Sequence, residues 1–498
     1  MKSDDGKLII QKFFEENSLV GSNIESFDDF VDNQLQNIIN DVKEAVPAVV
    51  PPDVEEVKFE FGTISLKKPT IMEADGSERD LFPMEARLRN LTYASKVYLE
   101  VGLVIDGKER ERAEVEIAEI PVMLKSKLCH LNTLTKDQLI ETGEDPEDCG
   151  GYFIIDGTER VLVYLEDLAP NTVFGKKIDS GPTTHKVSLF SSYDTYRIPH
   201  AIERNKEGLF LMSFTTFSKI PFVIIMKALG VTVDKDILEM IDYDMNDDIY
   251  INLYEALEIK TAADAQEFIA KTMHLALPRD RKLQRVVYML DNLLLPHIGR
   301  DQKNRKAKAR FIGRMVKKLI MLKENKIATD DRDHYMNKRI RMAGDLLEDL
   351  FRTHFKVLVS DILYIFQRGV RRGRIIPLAS IVRTKLLTQR IKSAMATGKW
   401  TSGRQGVSQR LERDCYTNMY AHLRNVVSLL EASRESFEAR ELHPTHWGRL
   451  CPIESPQGKN IGLRKTLAIL SHVTKNMSKS EHTKSMKTME DLGLKPFD

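Results

Sequence analysis

The residues best suited to chemistry in this sequence are the cations between positions 371 and 424. This segment holds 12 Lys and Arg against Glu412 and Asp414, a local net charge of +10. Arginine offers planar N–H donors that bind phosphate oxygens in pairs, and each neutralised phosphate releases counterions. Because these arginines fall around glycines and polar turn residues, the segment predicts a phosphate-binding surface. The alternative is solvated charge that pairs with acidic neighbours.

The net charge of the whole chain gives no indication of this basic segment. The chain has 498 residues with 74 Lys and Arg against 73 Asp and Glu, a formal net charge of +1. Residues 1–60 carry 5 Lys and Arg against 14 acidic residues, a net of −9, whereas residues 300–324 carry 10 against 2, a net of +8. For residues 300–324, a solvated helix face is as good an interpretation as a binding surface. The net charge of the whole chain is near zero because acidic and basic segments cancel, so it does not exclude a polyanionic partner.

No self-contained catalytic motif occurs in the sequence. A phosphate-binding P-loop, a dinucleotide-binding G-x-G-x-x-G, an H-E-x-x-H and a G-x-S-x-G are all absent. His443, His446 and Cys451 could ligate a metal, but a closed zinc site needs four ligands, so a structural role is favoured. The acidic run 242–248 lacks the Gly and Glu of an EF-hand and is predicted to be a solvated turn. No catalytic residue and no metal site is predicted in this chain.

Composition also bears on where the protein works. An apolar content of 42% excludes a wholly disordered chain, and the length indicates two to four domains at roughly 100–200 residues each. The start has no apolar stretch long enough for a signal peptide, and the densest apolar run, Ile220–Met226, is far shorter than the ~20 residues of a membrane span. We therefore expect a cytoplasmic protein without a membrane partner.

The elements that must position the cations follow from hydrophobic periodicity. Helical spacing over 5–17 and 25–44 gives way at Val54 to alternation of period two. Asp-Gly pairs at 106–107 and 156–157 predict β-hairpins, with 75–76 as a possible third, because this dipeptide tolerates the positive φ of a type I′ turn. Further predicted elements are strands at 185–190 and 209–214 and helices at 220–229, 332–370, 379–397 and 407–431, with a break at Gly344 as the alternative to one continuous helix over 332–370. The predicted fold class is α+β, multi-domain, with antiparallel β-sheets and helices.

Several segments resemble one family when they are read in order. Residues 441–463, ELHPTHWGRLCPIESPQGKNIGL, resemble the signature of the second-largest subunit of multi-subunit DNA-directed RNA polymerases, in which more than a dozen ordered positions agree. The same family order continues in GGYFIIDGTER, IPFVIIMKALG, DDRDHYMNKRIRMAG and GRQGVSQRLER followed by AHLRN. The resemblance is closest to the archaeal arrangement, in which this subunit is split and the N-terminal piece is called B″. A shortened form of an undivided subunit is the alternative.

The resemblance implies a domain order. It predicts a protrusion at 1–164 that returns at 336–395, a lobe at 165–335, a fork at 396–475 and a C-terminal tail at 476–498. In the family, the protrusion and lobe flank the DNA and the RNA–DNA hybrid, and the fork reaches towards the catalytic centre. The catalytic Mg²⁺ of the family is held by the largest subunit, so this chain is expected to support nucleotide addition without holding the metal. No independent activity is expected from this chain alone.

The resemblance also implies site residues, all of them in the fork. The residues that match family positions close to transcript, template or incoming nucleotide are Arg404, Gln409, Arg424, Arg449 and Glu454. For each of them a purely structural role is the alternative. Two departures from the family pattern, Gln457 and Asn425, remove a carboxylate and a cation, so contacts made through those side chains are not carried over.

The resemblance finally implies partners. They are the C-terminal half of the subunit, the largest subunit, the other polymerase subunits, the DNA template and the RNA transcript. Two hypotheses compete with this one: a stand-alone nucleic-acid-binding protein that uses the basic segments, and an independent nucleotide-dependent enzyme, which the missing P-loop disfavours.

Overall fold

The structure is a computed structural model that describes residues 3–51, 54–179, 181–193, 196–215, 217–272, 278–374, 377–428, 430, 436–474 and 479–494. The chain divides into two compact units. The first unit is built from residues 1–167 and 340–498, and the second from residues 168–339. The second unit is thus an insertion in the first along the chain. The identity of these units with a protrusion, lobe and fork stays a prediction.

The N-terminal part of the first unit is a set of helices followed by β-hairpins. Its elements are α1 (Ser3–Glu16), α2 (Gly21–Asp29), a π-helical turn (Phe30–Gln34), α3 (Leu35–Val42), β1 (Glu44–Ala45), β2 (Val57–Leu66), β3 (Thr70–Met72), β4 (Glu78–Asp80), α4 (Pro83–Leu88), β5 (Ala94–Ile105), β6 (Lys108–Pro121), a 3₁₀ turn (His130–Thr133), α5 (Lys136–Glu141), β7 (Phe153–Ile155), β8 (Thr158–Leu162) and β9 (Tyr164–Leu168). The strands β1, β2, β5 and β6 form one antiparallel sheet in the order β1-β2-β5-β6.

The second unit combines a five-stranded sheet with helices. Its elements are β10 (Phe174–Lys177), β11 (Thr183–Tyr193), β12 (Tyr196–Asn205), β13 (Phe210–Phe214), β14 (Phe217–Pro221), α6 (Phe222–Ala228), α7 (Asp234–Ile241), α8 (Asp247–Glu255), α9 (Ala262–Thr272), α10 (Arg279–Asn292), a 3₁₀ turn (Gln302–Asn304), α11 (Arg305–Lys323) and a 3₁₀ turn (Tyr335–Asn337). Its strands run antiparallel in sequence order from β10 to β14. Every residue of α6 is buried, so this helix forms the centre of the unit.

The returning chain completes the first unit. Its elements are β15 (Lys338–Arg341), α12 (Ala343–Val370), α13 (Leu378–Ile381), α14 (Thr384–Thr397), a 3₁₀ turn (Thr401–Gly403), β16 (Ser408–Arg410), α15 (Tyr416–Leu423), β17 (Asn425–Ser428), 3₁₀ turns (Pro444–His446 and Gly458–Asn460), β18 (Arg464–Thr466) and α16 (Lys479–Asp491). Two small sheets have the orders β16-β8-β7 and β15-β9-β17-β18. The described residues therefore form a multi-domain α+β chain, as predicted, with sheets that are antiparallel apart from the parallel pair of β9 and β17.

The core of the first unit lies between β2 and α12. Alternate residues of β2 are buried, which places Phe59 and Phe61 on the face that α12 covers. Phe59 meets Phe366 edge to face with ring centroids 5.2 Å apart, and Phe61 meets Phe355 at 5.8 Å. Such aromatic pairs add to the free energy gained from burial, so β2 and α12 contribute jointly to the core of this unit.

The predicted hairpins are confirmed. Asp106 and Gly107 both have positive φ, +48° and +74°, and join β5 to β6 with Ile105 opposite Lys108. The pair at 156–157 joins β7 to β8 in the same conformation, and the pair at 75–76 lies in the loop between β3 and β4. The Asp-Gly signal succeeds because it depends on two adjacent residues only.

Three predicted helices are wrong in extent. The helix expected over 332–370 begins only at Ala343, because the Asp331 carboxylate accepts the backbone N–H groups of Asp333 and His334 in a turn that β15 follows. Gly344 does not break α12 but lies in its first turn. The helix expected over 407–431 is instead β16, α15 and β17, since both strands pair with distant strands. The helix expected over 379–397 is α13 and α14, separated at Val382, whose backbone is extended.

A buried histidine lies in the second unit. His200 is 1% exposed, and its ring stacks on Phe214 at a centroid distance of 5.5 Å. Its Nε2 accepts the backbone N–H of Leu295 at 3.1 Å, so the neutral ring carries its proton on Nδ1, which donates to the Ile198 carbonyl at 3.0 Å. Protonation of Nε2 would place its N–H against the backbone N–H of Leu295, so that two donors face each other. Burial lowers the pKa of His200 to about 4.

We expect this histidine to make the second unit sensitive to acid. Because the pKa falls from about 6.5 in the unfolded chain to about 4 in the folded chain, the stabilisation is complete above pH 6.5 and is lost as the pH falls through 4. The loss amounts to about 3 kcal/mol, at 1.36 kcal/mol per pKa unit. Urea unfolding of the wild type and His200→Gln at several pH values measures it. The difference in free energy of unfolding between the wild type and His200→Gln should shrink towards pH 4. A difference that stays constant with pH would contradict the prediction.

Candidate nucleic-acid interface

The predicted site residues are organised around β9, β17 and β18. β17 lies parallel to β9, with Val426 opposite Tyr164, and antiparallel to β18, with Asn425 opposite Thr466. Two consecutive carboxylates of β9, Glu166 and Asp167, are buried. Buried carboxylates require cationic or hydrogen-bonding partners, and here the partners come from distant segments.

Glu166 and Asp167 each hold one cation. Glu166 binds the Lys465 ammonium of β18 at 3.0 Å, and both side chains are buried, with 1% and 10% of their surfaces exposed. Asp167 binds the Arg404 guanidinium at 3.1 Å. Since adjacent strand residues point to opposite faces, these two pairs hold β18 and the loop of Arg404 from opposite sides of β9.

Arg404 lies in a closed loop between α14 and β16. The backbone N–H of Trp400 donates to the Arg404 carbonyl at 2.8 Å, and that of Val407 donates to the Gly398 carbonyl at 3.3 Å. Gly398 ends α14 with a φ of +72°, and a Cβ there would lie 2.6 Å from the Ser408 carbonyl. A glycine is therefore required at position 398. The Arg404 side chain is 16% exposed, so one face of its guanidinium stays in reach of solvent.

Gln409 lies on β16 opposite Val161 of β8. Its Nε2 donates to the Gly406 carbonyl at 3.0 Å, and its Oε1 lies 3.3 Å from Nε2 of His422. Nδ1 of His422 accepts the backbone N–H of Glu412 at 3.2 Å, so the neutral ring donates from Nε2 to Gln409. Burial lowers the pKa of His422, which keeps this donor arrangement near neutral pH. Hydrogen bonds at both Nε2 and Oε1 thus fix the side-chain amide of Gln409.

Arg424 is buried at the end of α15, with 4% of its surface exposed. Its guanidinium donates to the Leu19 carbonyl at 2.9 Å and to the carbonyls of Leu467, Ala468 and Ile469. Burial lowers its pKa from the usual value. These contacts join the N-terminal segment to the chain after β18. The structure therefore gives Arg424 an internal role, and its predicted contact with nucleic acid stays a prediction.

Arg449 and Glu454 are exposed. The Arg449 guanidinium donates to the Thr445 carbonyl at 3.2 Å, and its own carbonyl accepts the N–H of Ala468 at 2.9 Å. The Arg424 carbonyl accepts the N–H of Leu467 at 3.1 Å, so the two arginines bond to consecutive residues, Leu467 and Ala468, of the segment that follows β18. Among the five predicted residues, Arg449 and Glu454 are those whose side chains lie open to a ligand.

Two sets of ion pairs in this region were not predicted from the sequence. Arg413 binds Asp148 at 2.9 Å and Glu159 at 2.5 Å, and its guanidinium lies over the ring of Tyr152. This cluster fixes the chain after β16 to the N-terminal hairpin. The Lys465–Glu166 pair was also missed. The signal for it was present, because Glu166 and Asp167 interrupt the otherwise apolar strand YLEDL.

The second basic segment, 300–324, is largely paired. Arg305 binds Asp291 at 2.6 Å, Lys317 binds Asp242 at 2.6 Å and Lys318 binds Asp330 at 2.6 Å. Lys308 is buried and donates to the carbonyls of Leu290 and Asp291, and burial lowers its pKa to about 8. These contacts favour the structural interpretation of α11.

The two histidines considered as metal ligands, His443 and His446, belong to a 3₁₀ turn and its N-cap. Nδ1 of His443 accepts the backbone N–H of Thr445 at 3.2 Å and begins the 3₁₀ turn Pro444–His446. Within the described residues, no group of three or more His, Cys, Asp or Glu is arranged to hold a metal ion. Nor does that part of the chain contain a helix that is long and apolar enough to cross a membrane.

Comparison with known families identifies the class of protein to which this arrangement belongs. Residues 18–389 match the family model described as RNA polymerase beta subunit. Residues 409–473 match the model described as RNA polymerase Rpb2, domain 3. This segment contains β17, β18 and four of the five predicted site residues, and Arg404 lies before it. The chain belongs to the RNA polymerase beta-subunit family, as its motifs predicted.

Individual relatives sharpen this assignment. The chain is 43% identical to subunit Rpo2N of the DNA-directed RNA polymerase of Methanocaldococcus jannaschii, with 98% of each chain covered. It is 41% identical to Rpo2N of Methanococcus vannielii, with 98% of this chain and 99% of that one covered. It is 40% identical to subunit Rpo2 of Saccharolobus solfataricus over 99% of this chain but only 44% of the relative. The chain thus spans less than half of the Rpo2 relatives and nearly all of the Rpo2N relatives.

Proposed function

We propose that the chain is a subunit of a multi-subunit DNA-directed RNA polymerase and supports nucleotide addition in the assembled enzyme. The observation that carries this proposal is the 43% identity to an Rpo2N chain with 98% of both chains covered. The proposed partners are the C-terminal half of the second-largest subunit, the largest subunit and the other polymerase subunits, together with template and transcript in the cytoplasm.

The proposed division of labour within the chain follows the resemblance. Residues 1–164 and 336–395 would form the protrusion, residues 165–335 the lobe and residues 396–475 the fork beside the hybrid channel. The catalytic Mg²⁺ would be held by another subunit.

Assembly tests the proposal directly. We expect the tagged full chain to co-elute with the C-terminal half and the largest subunit when the three are expressed together and isolated at moderate salt. Omitting this chain should abolish template-directed RNA synthesis by the reconstituted enzyme. A chain that sediments alone at its 57.1 kDa mass under these conditions would instead support a stand-alone nucleic-acid-binding protein.

We propose that Arg449 is the fork residue that contacts a phosphate in the working enzyme. It is exposed, and its guanidinium holds only the Thr445 carbonyl among the contacts of the described residues. Arg449→Ala is expected to slow nucleotide addition by about 10- to 150-fold, since one lost charge-assisted contact is worth about 1.5–3 kcal/mol. Rates of single-nucleotide extension by the reconstituted polymerase measure the effect.

Arg110→Ala is the matched control for Arg449→Ala, because Arg110 is an exposed arginine of β6 that lies outside both basic segments. Both variants should keep the wild-type melting temperature. Equal rates for the two variants, or a rate for Arg449→Ala that equals the wild type, would remove Arg449 from the site.

A further inference from the structure

The outer face of α8 in the second unit is apolar and open to solvent. Tyr250 and Tyr254 are 62% and 66% exposed, and Ile251 beside them is exposed as well. Met245 before the helix and Leu257 after it are also exposed. Single exposed apolar residues are ordinary, but several large ones within one short segment form a patch of the kind that marks a binding surface.

The inner face of α8 is held in place by polar contacts. The buried Asp248 carboxylate accepts two hydrogen bonds from the Arg204 guanidinium of β12, at 2.9 Å and 2.8 Å. The Asn252 side chain accepts the backbone N–H of Phe210 at 2.8 Å and donates to the Gly208 carbonyl at 2.9 Å. These contacts fix α8 on the hairpin of β12 and β13, so a ligand of the outer face need not order a mobile helix when it binds.

Tyr250 and Tyr254 form the centre of the outer face. Their ring centroids lie 6.5 Å apart, and their planes differ by 23°. The face of an aromatic ring attracts a cation that lies within about 6 Å of the ring centroid. Because the two planes are nearly parallel, one guanidinium or ammonium group can lie within that distance of both rings. The cation–ring contacts of the described residues involve other rings.

Carboxylates surround the aromatic pair. Residues 244–258 contain five acidic residues and no Lys or Arg. Asp248 is the buried one that pairs with Arg204. The other four are exposed and take part in no ion pair among the residues that the structure describes: Asp244, Asp247, Glu255 and Glu258. The patch therefore combines apolar surface with negative charge that no cation of the described chain neutralises.

We propose that the outer face of α8 binds a cationic segment of another polypeptide, in which Lys or Arg side chains alternate with apolar ones. The four exposed carboxylates attract such a segment and repel the phosphates of a nucleic acid. They also oppose pairing of this face with its own copy, because a two-fold interface would place the same carboxylates against each other. The two tyrosine rings supply apolar and cation–π contacts, and aromatic residues of this kind carry much of the affinity of protein interfaces.

This inference does not depend on the proposed function, because every contact that carries it lies within the second unit. The test uses the full chain alone and a fluorescein-labelled peptide of three Arg-Leu-Lys-Gly repeats as the probe. Fluorescence anisotropy measures the affinity. A peptide of three Arg-Gly-Lys-Gly repeats has the same charge but no leucine, and it should bind less tightly because it cannot bury apolar surface against the tyrosines.

The decisive variant is Tyr250→Ser/Tyr254→Ser. Both rings are exposed, so the variant should keep the wild-type melting temperature. Its affinity for the leucine-containing peptide should fall about tenfold or more, as expected when aromatic hot-spot residues are removed. The matched control Tyr288→Ser/Tyr364→Ser removes two other exposed tyrosines and should bind as the wild type does. An unchanged affinity in the decisive variant, or an equal loss in the control, overturns the proposal.

The carboxylates are tested with a second pair of variants. Glu255→Gln/Glu258→Gln should lower the affinity about threefold at low salt and reduce its dependence on salt. The control Glu55→Gln/Glu141→Gln removes two exposed carboxylates of the first unit and should change neither. Equal effects of these two variants would overturn the proposal, as would equal affinities of the wild type for the two peptides. So would self-association or oligothymidylate binding that the decisive tyrosine variant abolishes, since either would assign the face to a different ligand.

Discussion

Lys465→Met is expected to lower the free energy of unfolding of the first unit by about 3–5 kcal/mol, the usual cost of breaking a buried ion pair. The Lys465 ammonium lies 3.0 Å from the Glu166 carboxylate, and the carboxylate side chain is 1% exposed. Methionine has nearly the shape of lysine, so the variant leaves the packing intact and removes the cation. Urea unfolding monitored by circular dichroism measures the loss.

The double variant Glu166→Leu/Lys465→Met is the control for this result. Replacing both partners by apolar residues of similar size is often neutral, so most of the lost stability should return. A single variant as stable as the wild type would show that the pair contributes nothing. A double variant as unstable as the single one would show that shape, and not charge, determines the effect.

Gly344→Ala is expected to destabilise the first unit by about 3 kcal/mol or more, although alanine favours a helix over glycine by about 1 kcal/mol. A Cβ at position 344 would lie 2.0 Å from the Ser26 carbonyl oxygen, so α2 and α12 would have to separate. The separation would also break the bond from the Gly344 N–H to the Ser26 hydroxyl, which measures 3.1 Å.

Gly6→Ala is the matched control because Gly6 lies in α1 with no atom within 4 Å of an added Cβ. This variant should keep or slightly raise the melting temperature, as helix propensity predicts. If Gly344→Ala behaves like Gly6→Ala, the close contact between α2 and α12 does not exist in solution.

Local signals in the sequence predicted local structure well. Asp106-Gly107 gave a correct hairpin because a type I′ turn depends on two residues. The helical prediction over 407–431 failed because β16 and β17 are strands through their pairing with β8 and β9. Pairing with strands far along the chain cannot be detected from local periodicity.

The candidate site was predictable in part. The cations of residues 371–424 were evident from composition, but the pairing of Arg404 with Asp167 and the burial of Arg424 were not. Arg424 shows why. A sequence gives the charge of a guanidinium, but whether it faces phosphate or, as here, four backbone carbonyls depends on tertiary packing.

The order of the chain has a consequence for how it folds during synthesis. Glu166 and Lys465 are 299 positions apart, and Asp167 and Arg404 are 237 apart. β9 therefore leaves the ribosome long before β17 and β18 exist, while the inserted second unit can fold first. Until β15 and then β17 are synthesised, β9 lacks the strands that pair with it in the folded unit, and two adjacent carboxylates on an unpaired strand oppose pairing with other chains. The same charges that later bind Lys465 and Arg404 are therefore expected to oppose aggregation of the nascent chain.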